Sequence, residues 1–231
     1  HSAVLDTCRY LESKGYEITY LPVNPDGLID LEVLKNSLRK DTLLVSIMYA
    51  NNETGVIQPI KKISTLAHNV DAVLFCDATQ AIGKIALNVD ESGIDFLCLS
   101  GHKIYAPKGV GALFLRQRKP YRIKLQPLQH GGGHERGIRS GTLNVPGIVA
   151  LGKACEIAKK EMIKNAESIS ILRNYLETEL LKIPNTFVNG NTKTRLFNVS
   201  NICFKGADSE AIILGLSNPE SNLPMIAVSN G

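Results

Sequence analysis

Ala72-Val73-Leu74-Phe75-Cys76-Asp77-Ala78-Thr79-Gln80 and Ile94-Asp95-Phe96-Leu97-Cys98-Leu99-Ser100-Gly101-His102-Lys103 are the stretches that decide the fold of this chain. Each is a short apolar run that stops at a polar cluster. Thr42 to Met48 is a third such run, rich in Leu, Val and Ile, and Gly109 to Leu115 is a glycine-started fourth. Short, near-continuous apolar strands separated by helical patterns predict a parallel sheet covered on both faces. If Cys76 and Asp77 are both extended, their side chains face opposite ways, so Asp77 can meet a ligand while Cys76 faces the core.

Around these strands the periodicity predicts helices over 2–14, 31–39, about 60–69, 146–182 and 208–216. Asp30 is a candidate N-cap, Pro59 precedes the third helix and Pro184 closes the fourth. Further strands are expected over Glu17 to Val23, near 195–204 and at 225–229. The style changes from α/β to α+β along the chain. The expected division lies inside the long helix near 160, giving a large domain over 1–160 and part of a smaller one over 161–231. The chain begins at His1 inside an amphipathic pattern and stops at Gly231 after a strand-like run, so both ends read as cuts through a domain.

Composition excludes several classes. The 231 residues are 44% hydrophobic and 21% charged, ordinary for a globular protein. A net charge of +4 is too mild to imply nucleic acid, and Arg116-Gln117-Arg118-Lys119 reads as a solvated turn. No run approaches the roughly 18 apolar residues of a membrane span. Cys8, Cys76, Cys98, Cys155 and Cys203 are widely spaced, without a CxxC pair, and four of them sit in apolar or amphipathic stretches, which fits reduced, buried thiols in a reducing compartment. His130 and His134 flank three glycines, which argues against a helical metal site and for a loop near a ligand or a subunit boundary. No P-loop or Rossmann fingerprint is present.

Ligands of open parallel sheets bind at the carboxyl ends of the strands. Three polar clusters fall there: Asn51-Asn52-Glu53-Thr54-Gly55, Asp77-Ala78-Thr79-Gln80 and Ser100-Gly101-His102-Lys103. Helix capping accounts for Asp77 or Ser100 singly. It accounts for neither the lysine nor the paired asparagines. A carboxylate at one strand end and a lysine just past the next is the layout a pyridoxal phosphate site needs. The lysine forms a Schiff base and the acid keeps the pyridine nitrogen protonated.

With Met48-Tyr49-Ala50 before the first cluster, Tyr105-Ala106-Pro107-Lys108-Gly109 after the third, and Gly131-Gly132-Gly133-His134-Glu135-Arg136-Gly137-Ile138-Arg139-Ser140-Gly141-Thr142 downstream, the chain resembles the NifS/IscS class of cysteine desulfurases. These are class-V aminotransferases with the fold type I of pyridoxal-phosphate enzymes. The likeness runs over nearly the whole chain and departs from the family pattern at 217–225. It implies the α/β fold of that type, pyridoxal 5'-phosphate as cofactor and L-cysteine as substrate. It also implies a homodimer, a sulfur-accepting scaffold protein of iron–sulfur assembly or tRNA thiolation, and a cytoplasmic or organellar setting. By the same likeness Lys103 is the Schiff-base lysine, Asp77 pairs with the pyridinium nitrogen and Gln80 lies by the ring hydroxyl. His1 stacks on the ring and joins Lys103 in catalysis. Asn52 lies near the ring hydroxyl and the substrate carboxylate, Ser100 and His102 bind the phosphate, and Thr142 reaches the phosphate of a partner subunit.

The family's sulfur-accepting cysteine belongs to a loop expected just beyond Gly231, so the 231 residues alone are expected to lack desulfurase activity. Two other readings stay open: another class-V enzyme, such as a selenocysteine lyase or an aminotransferase, and a truncated non-catalytic chain.

Overall fold

The computed structural model describes residues 1–117, 123–217 and 226–230. Helices α1 (Ser2–Glu12), α2 (Leu31–Ser37) and α3 (Ile60–His68) and strands β1 (Leu44–Met48), β2 (Val73–Asp77), β3 (Phe96–Ser100) and β4 (Gly111–Leu115) form the first part. The strands lie in sequence order in one sheet. β1, β2 and β3 run parallel, and β4 returns antiparallel on β3. The sheet is thus mostly parallel, as the apolar runs predict, but it is not covered on both faces: Leu44 and Ser46 of β1 and Leu113 of β4 are exposed.

The alternation in β2 is visible in its burial. Leu74 and Cys76 are fully buried, while Val73, Phe75 and Asp77 are half-buried. Opposite them α3 presents Ile60, Ile63, Ser64 and Ala67. Full burial of one such aliphatic side chain contributes about 1.5–3 kcal/mol. Asp30 caps α2 as expected, its Oδ1 accepting from the Glu32 amide at 2.8 Å.

α4 (Val145–Leu180) is a single helix of 36 residues, followed by β5 (Thr186–Val188), β6 (Ile202–Phe204) and α5 (Ser209–Leu216). β5 and β6 form a separate antiparallel pair. Between them the chain returns to the first part. Leu196 is fully buried in the same core as Val45 and Leu74, and its amide donates to the Gly55 carbonyl at 2.9 Å. Gly55 has φ +74°, and a Cβ there would stand 2.8 Å from Val199 Cβ, so this approach requires glycine.

Several expectations are corrected. Residues 17–22 form no strand: among the described residues no neighbour offers a ladder, and only an isolated bridge joins Val23 to Ile29. Residues 226–230 are not in a strand, and 225 lies outside the described residues. Cys155 is exposed rather than buried.

Arg116 is not solvated. Its side chain is 12% exposed and lies between Asp90 at 2.8 Å and the fully buried Asp95 at 3.3 Å, while its nitrogens donate to the Val89 and Ile94 carbonyls. Arg118 and Lys119 of that cluster, and most of the divergent stretch 217–225, lie outside the described residues.

Candidate active site

Because β1, β2 and β3 are parallel, their carboxyl ends share one sheet edge, and the three polar clusters gather there. Main-chain bonds lace them together. The Tyr49 amide donates to the Asp77 carbonyl at 2.8 Å, and the Ala78 amide donates to the Cys98 carbonyl at 3.0 Å. Asp77 is therefore held from both sides. Its Oδ1 accepts from the Thr79 amide at 2.9 Å, which leaves acceptor capacity on the carboxylate. The neighbouring Cys98 thiol hydrogen-bonds Asp77. Burial first, then the Asp77 charge, push that thiol up to about 11, so it stays a neutral donor.

The two asparagines separate into different tasks. Asn51 Oδ1 accepts from the amides of Glu53 at 2.9 Å and Thr54 at 2.8 Å, closing the turn. Asn52 is half-buried, and its side chain has no hydrogen-bond partner among the described residues. The family resemblance singles out Asn52, and the turn geometry now accounts for Asn51.

Past β3, residues Gly101–Ile104 form one 3-10 turn. Its first residue is fixed by packing. The Gly101 amide donates to the Val110 carbonyl at 2.8 Å, and a Cβ on Gly101 would stand 2.9 Å from that oxygen. Ser100 opens the turn in an extended conformation, and its hydroxyl makes no capping bond. Buried Ile104 anchors the turn, while His102 and Lys103 project outward and are exposed.

Lys103 and Lys84 border one cavity of about 360 Å³, with Ile104, Ala154, Ala158 and Phe197 among its walls. Lys84 is the group that sequence reasoning missed. Its Nζ donates to both the main-chain and the side-chain carbonyl oxygens of Gln80, each at 3.0 Å. Burial first, and the Lys103 charge second, lower its pKa. A lysine four residues after a glutamine was the available signal.

The structure leaves two of the expected residues apart from this cluster. His1 caps α1, its Nδ1 accepting from the Ala3 amide at 3.2 Å, and α1 buries no residue. Thr142 is exposed ahead of α4 and makes no hydrogen bond among the described residues. His130 and His134 hold no shared ligand set, and no cluster of metal-binding side chains occurs among the described residues. The His134 ring instead accepts from the Gly141 amide at 3.3 Å.

The family model for aminotransferase class V matches residues 1–227. The chain belongs to the aminotransferase class-V family. Class-V aminotransferases depend on pyridoxal 5'-phosphate. Among its relatives is the cysteine desulfurase IscS of Haemophilus influenzae, 48% identical over 231 residues, which covers all of this chain and 55% of that protein.

Among solved structures, a NifS-like protein superposes with a TM-score of 0.86 at 38% identity, covering 93% of this chain and 59% of that one. DndA from Streptomyces lividans does so with a TM-score of 0.85 at 38% identity, covering 94% and 61%. The pyridoxal-phosphate fold type I follows. The chain spans about half the length of the curated relatives it matches. No helix among the described residues is long and apolar enough to cross a membrane.

Proposed function

We propose that this chain carries the cofactor-holding part of a pyridoxal-phosphate-dependent cysteine desulfurase. The whole protein converts L-cysteine to L-alanine and passes the sulfur, as a persulfide, to a scaffold protein of iron–sulfur assembly or to tRNA thiolation. The observation that carries this reading is the gathering of Asp77, Asn52 and Ser100 at one sheet edge, beside a clamped turn that presents Lys103. The 48% identity to a cysteine desulfurase IscS supports the choice of substrate.

The donor set suits a phosphorylated pyridine. It offers a carboxylate with free acceptor capacity, an uncapped hydroxyl, an unpartnered half-buried amide and an exposed amine. When bound, the cofactor draws electrons from the Cα–H bond of the substrate. Asp77 holds the proton of the ring nitrogen. Lys103 would hold the cofactor covalently through its amine, and the same amine would serve as general acid and base toward the substrate Cα proton. The Ser100 hydroxyl and the His102 ring donate to the phosphate. Asn52 and Gln80 meet the ring hydroxyl, and Asn52 also meets the substrate carboxylate.

His1 stacks on the ring and excludes water; the motif alone supports this, since its imidazole caps α1 here. Thr142 reaches the phosphate of a second copy in a homodimer. None of the five cysteines is assigned the sulfur-accepting role. We keep the division near 160 as a proposal: the separate β5–β6 pair supports a second domain, with 194–196 pairing back onto the first.

The test is covalent. Borohydride reduction of the full-length protein with pyridoxal phosphate should leave a cofactor adduct on the peptide containing Lys103. Lys103→Ala should remove both the adduct and the yellow colour. A colourless wild type, or an adduct that maps to another lysine, contradicts the assignment.

A further inference from the structure

We propose that Lys84 is a positioning residue of the cofactor site, which fixes the side-chain amide of Gln80 so that its nitrogen, not its oxygen, is offered to the ligand. The inference rests on the role assigned to Gln80 above and deepens it.

An ammonium group can only donate hydrogen bonds. Only the carbonyl oxygen of the Gln80 side chain can therefore face Lys84, and the observed contact is from Nζ to Oε1 at 3.0 Å. The same Nζ donates to the Gln80 main-chain carbonyl at 3.0 Å, so the lysine grips both ends of one residue. The planar amide then turns its two N–H groups away from Lys84. An amide so held suits an oxygen anion on an aromatic ring. One turned around would set its carbonyl oxygen against that anion.

Lys84 is itself held in place. Gly83 has φ +71°, and a Cβ there would stand 2.9 Å from Ile104 Cγ2 and 3.0 Å from Ala158 Cβ. The Gln80–Lys84 segment is thus wedged between the turn that carries Lys103 and helix α4. Its main chain is closed by bonds from the amides of Ile82 to Ala78 at 2.9 Å and of Lys84 to Ala81 at 3.0 Å. Lys84 is half-buried and borders the same cavity as Lys103. A surface lysine would contribute little to orientation, but a desolvated charged donor makes a stronger bond than a neutral one.

The experiment is a double-mutant cycle in the full-length protein. Pyridoxal phosphate affinity and the wavelength of the visible band of the bound cofactor are measured for wild type, Lys84→Met, Gln80→Leu and the double variant. Lys84→Met should weaken affinity about tenfold, the size of one lost hydrogen bond, and shift the band in the same direction as Gln80→Leu. The double variant should be no worse than Gln80→Leu alone. Lys84→Arg, which keeps a charged donor, should restore most of the wild-type behaviour. Far-ultraviolet circular dichroism checks folding, and Lys84→Ala replaces Lys84→Met if that variant does not fold.

A Lys84→Met protein with wild-type affinity and band overturns the proposal, and so do fully additive losses in the double variant. A wild-type protein that takes up no pyridoxal phosphate overturns the cofactor reading along with it. Normal binding by the wild type together with a silent Lys84→Met overturns this inference alone.

Discussion

Gly83→Ala places one methyl group between the lysine turn and α4, and its cost can be worked from the geometry. The new Cβ would lie 2.9 Å from Ile104 Cγ2 and 3.0 Å from Ala158 Cβ. Ile104 is 6% exposed and β-branched, so it cannot swing aside freely. Overpacking of this kind costs about 1–3 kcal/mol. The backbone at φ +71° adds about 1–2 kcal/mol for any residue with a Cβ. The expected loss is therefore roughly 2–5 kcal/mol.

Gly152→Ala is the internal control. That glycine lies in α4 with nothing within 4 Å of a new Cβ, and alanine there should stabilise by roughly 0.5–1 kcal/mol. Thermal unfolding of the full-length variants reads both effects. Gly83→Ala should also weaken cofactor uptake, since the push is delivered next to Lys103. A Gly83→Ala protein as stable as wild type, or a Gly152→Ala protein equally destabilised, would refute the packing argument.

Glu177 and the thiols give two further tests. Glu177 is 7% exposed and accepts from both terminal nitrogens of Arg195, at 2.7 and 2.5 Å, and from the Ser200 hydroxyl at 2.8 Å. Burial alone would raise its pKa, but the bonds from Arg195 and Ser200 outweigh burial and hold it below the ordinary glutamate range. A depressed folded pKa gives stability that is present above the unfolded value, near 4.3, and lost as pH falls through the lower folded value. Glu177→Gln should leave Arg195 unpaired and cost about 3 kcal/mol at pH 7. It should also flatten the acid limb of the stability profile; an unchanged acid limb would refute the pairing.

Maleimide should label exposed Cys155 before the other thiols and buried Cys76 last. Burial first, then the Asp77 charge, raise the Cys76 thiol out of the reactive range. Early labelling of Cys76 in the folded protein would contradict its place in the core.

Most of the architecture was legible in the sequence. The runs at 42–48, 72–76 and 94–99 became β1, β2 and β3 within two residues, because a short apolar run bounded by turn residues marks a core strand, although in β1 only one face is buried: Val45 and Ile47 point inward while Leu44 and Ser46 are exposed. The helices were legible through their spacing and, for α2, through its cap Asp30; the cap of α5, Asp208, appeared only in the structure. The strand expected at 17–23 failed for a reason no local pattern carries: a strand exists only where another offers it hydrogen bonds. β5 went unseen because three residues after Pro184 and Asn185 give too little periodicity.

Arg116 was misread because a run of four polar residues looks solvated, and nothing local says that Asp95 waits inside the fold. Asp95 itself was a signal passed over, since a carboxylate within an apolar strand run must find partners. It found the Leu74 amide at 2.8 Å and the His68 ring at 2.7 Å.

The sequence by itself determined the parallel strands, the three polar clusters at their carboxyl ends, and the family through its ordered motifs. These are local and periodic properties, written in the spacing of side chains along one element. Only the tertiary structure decided that Asn51 closes a turn, and that Lys84 grips Gln80 beside Lys103. It alone brought Leu196 back into the core of the first sheet. Each of these depends on which surfaces meet, and hydrogen bonding and close packing act through distances that spacing along the chain does not encode.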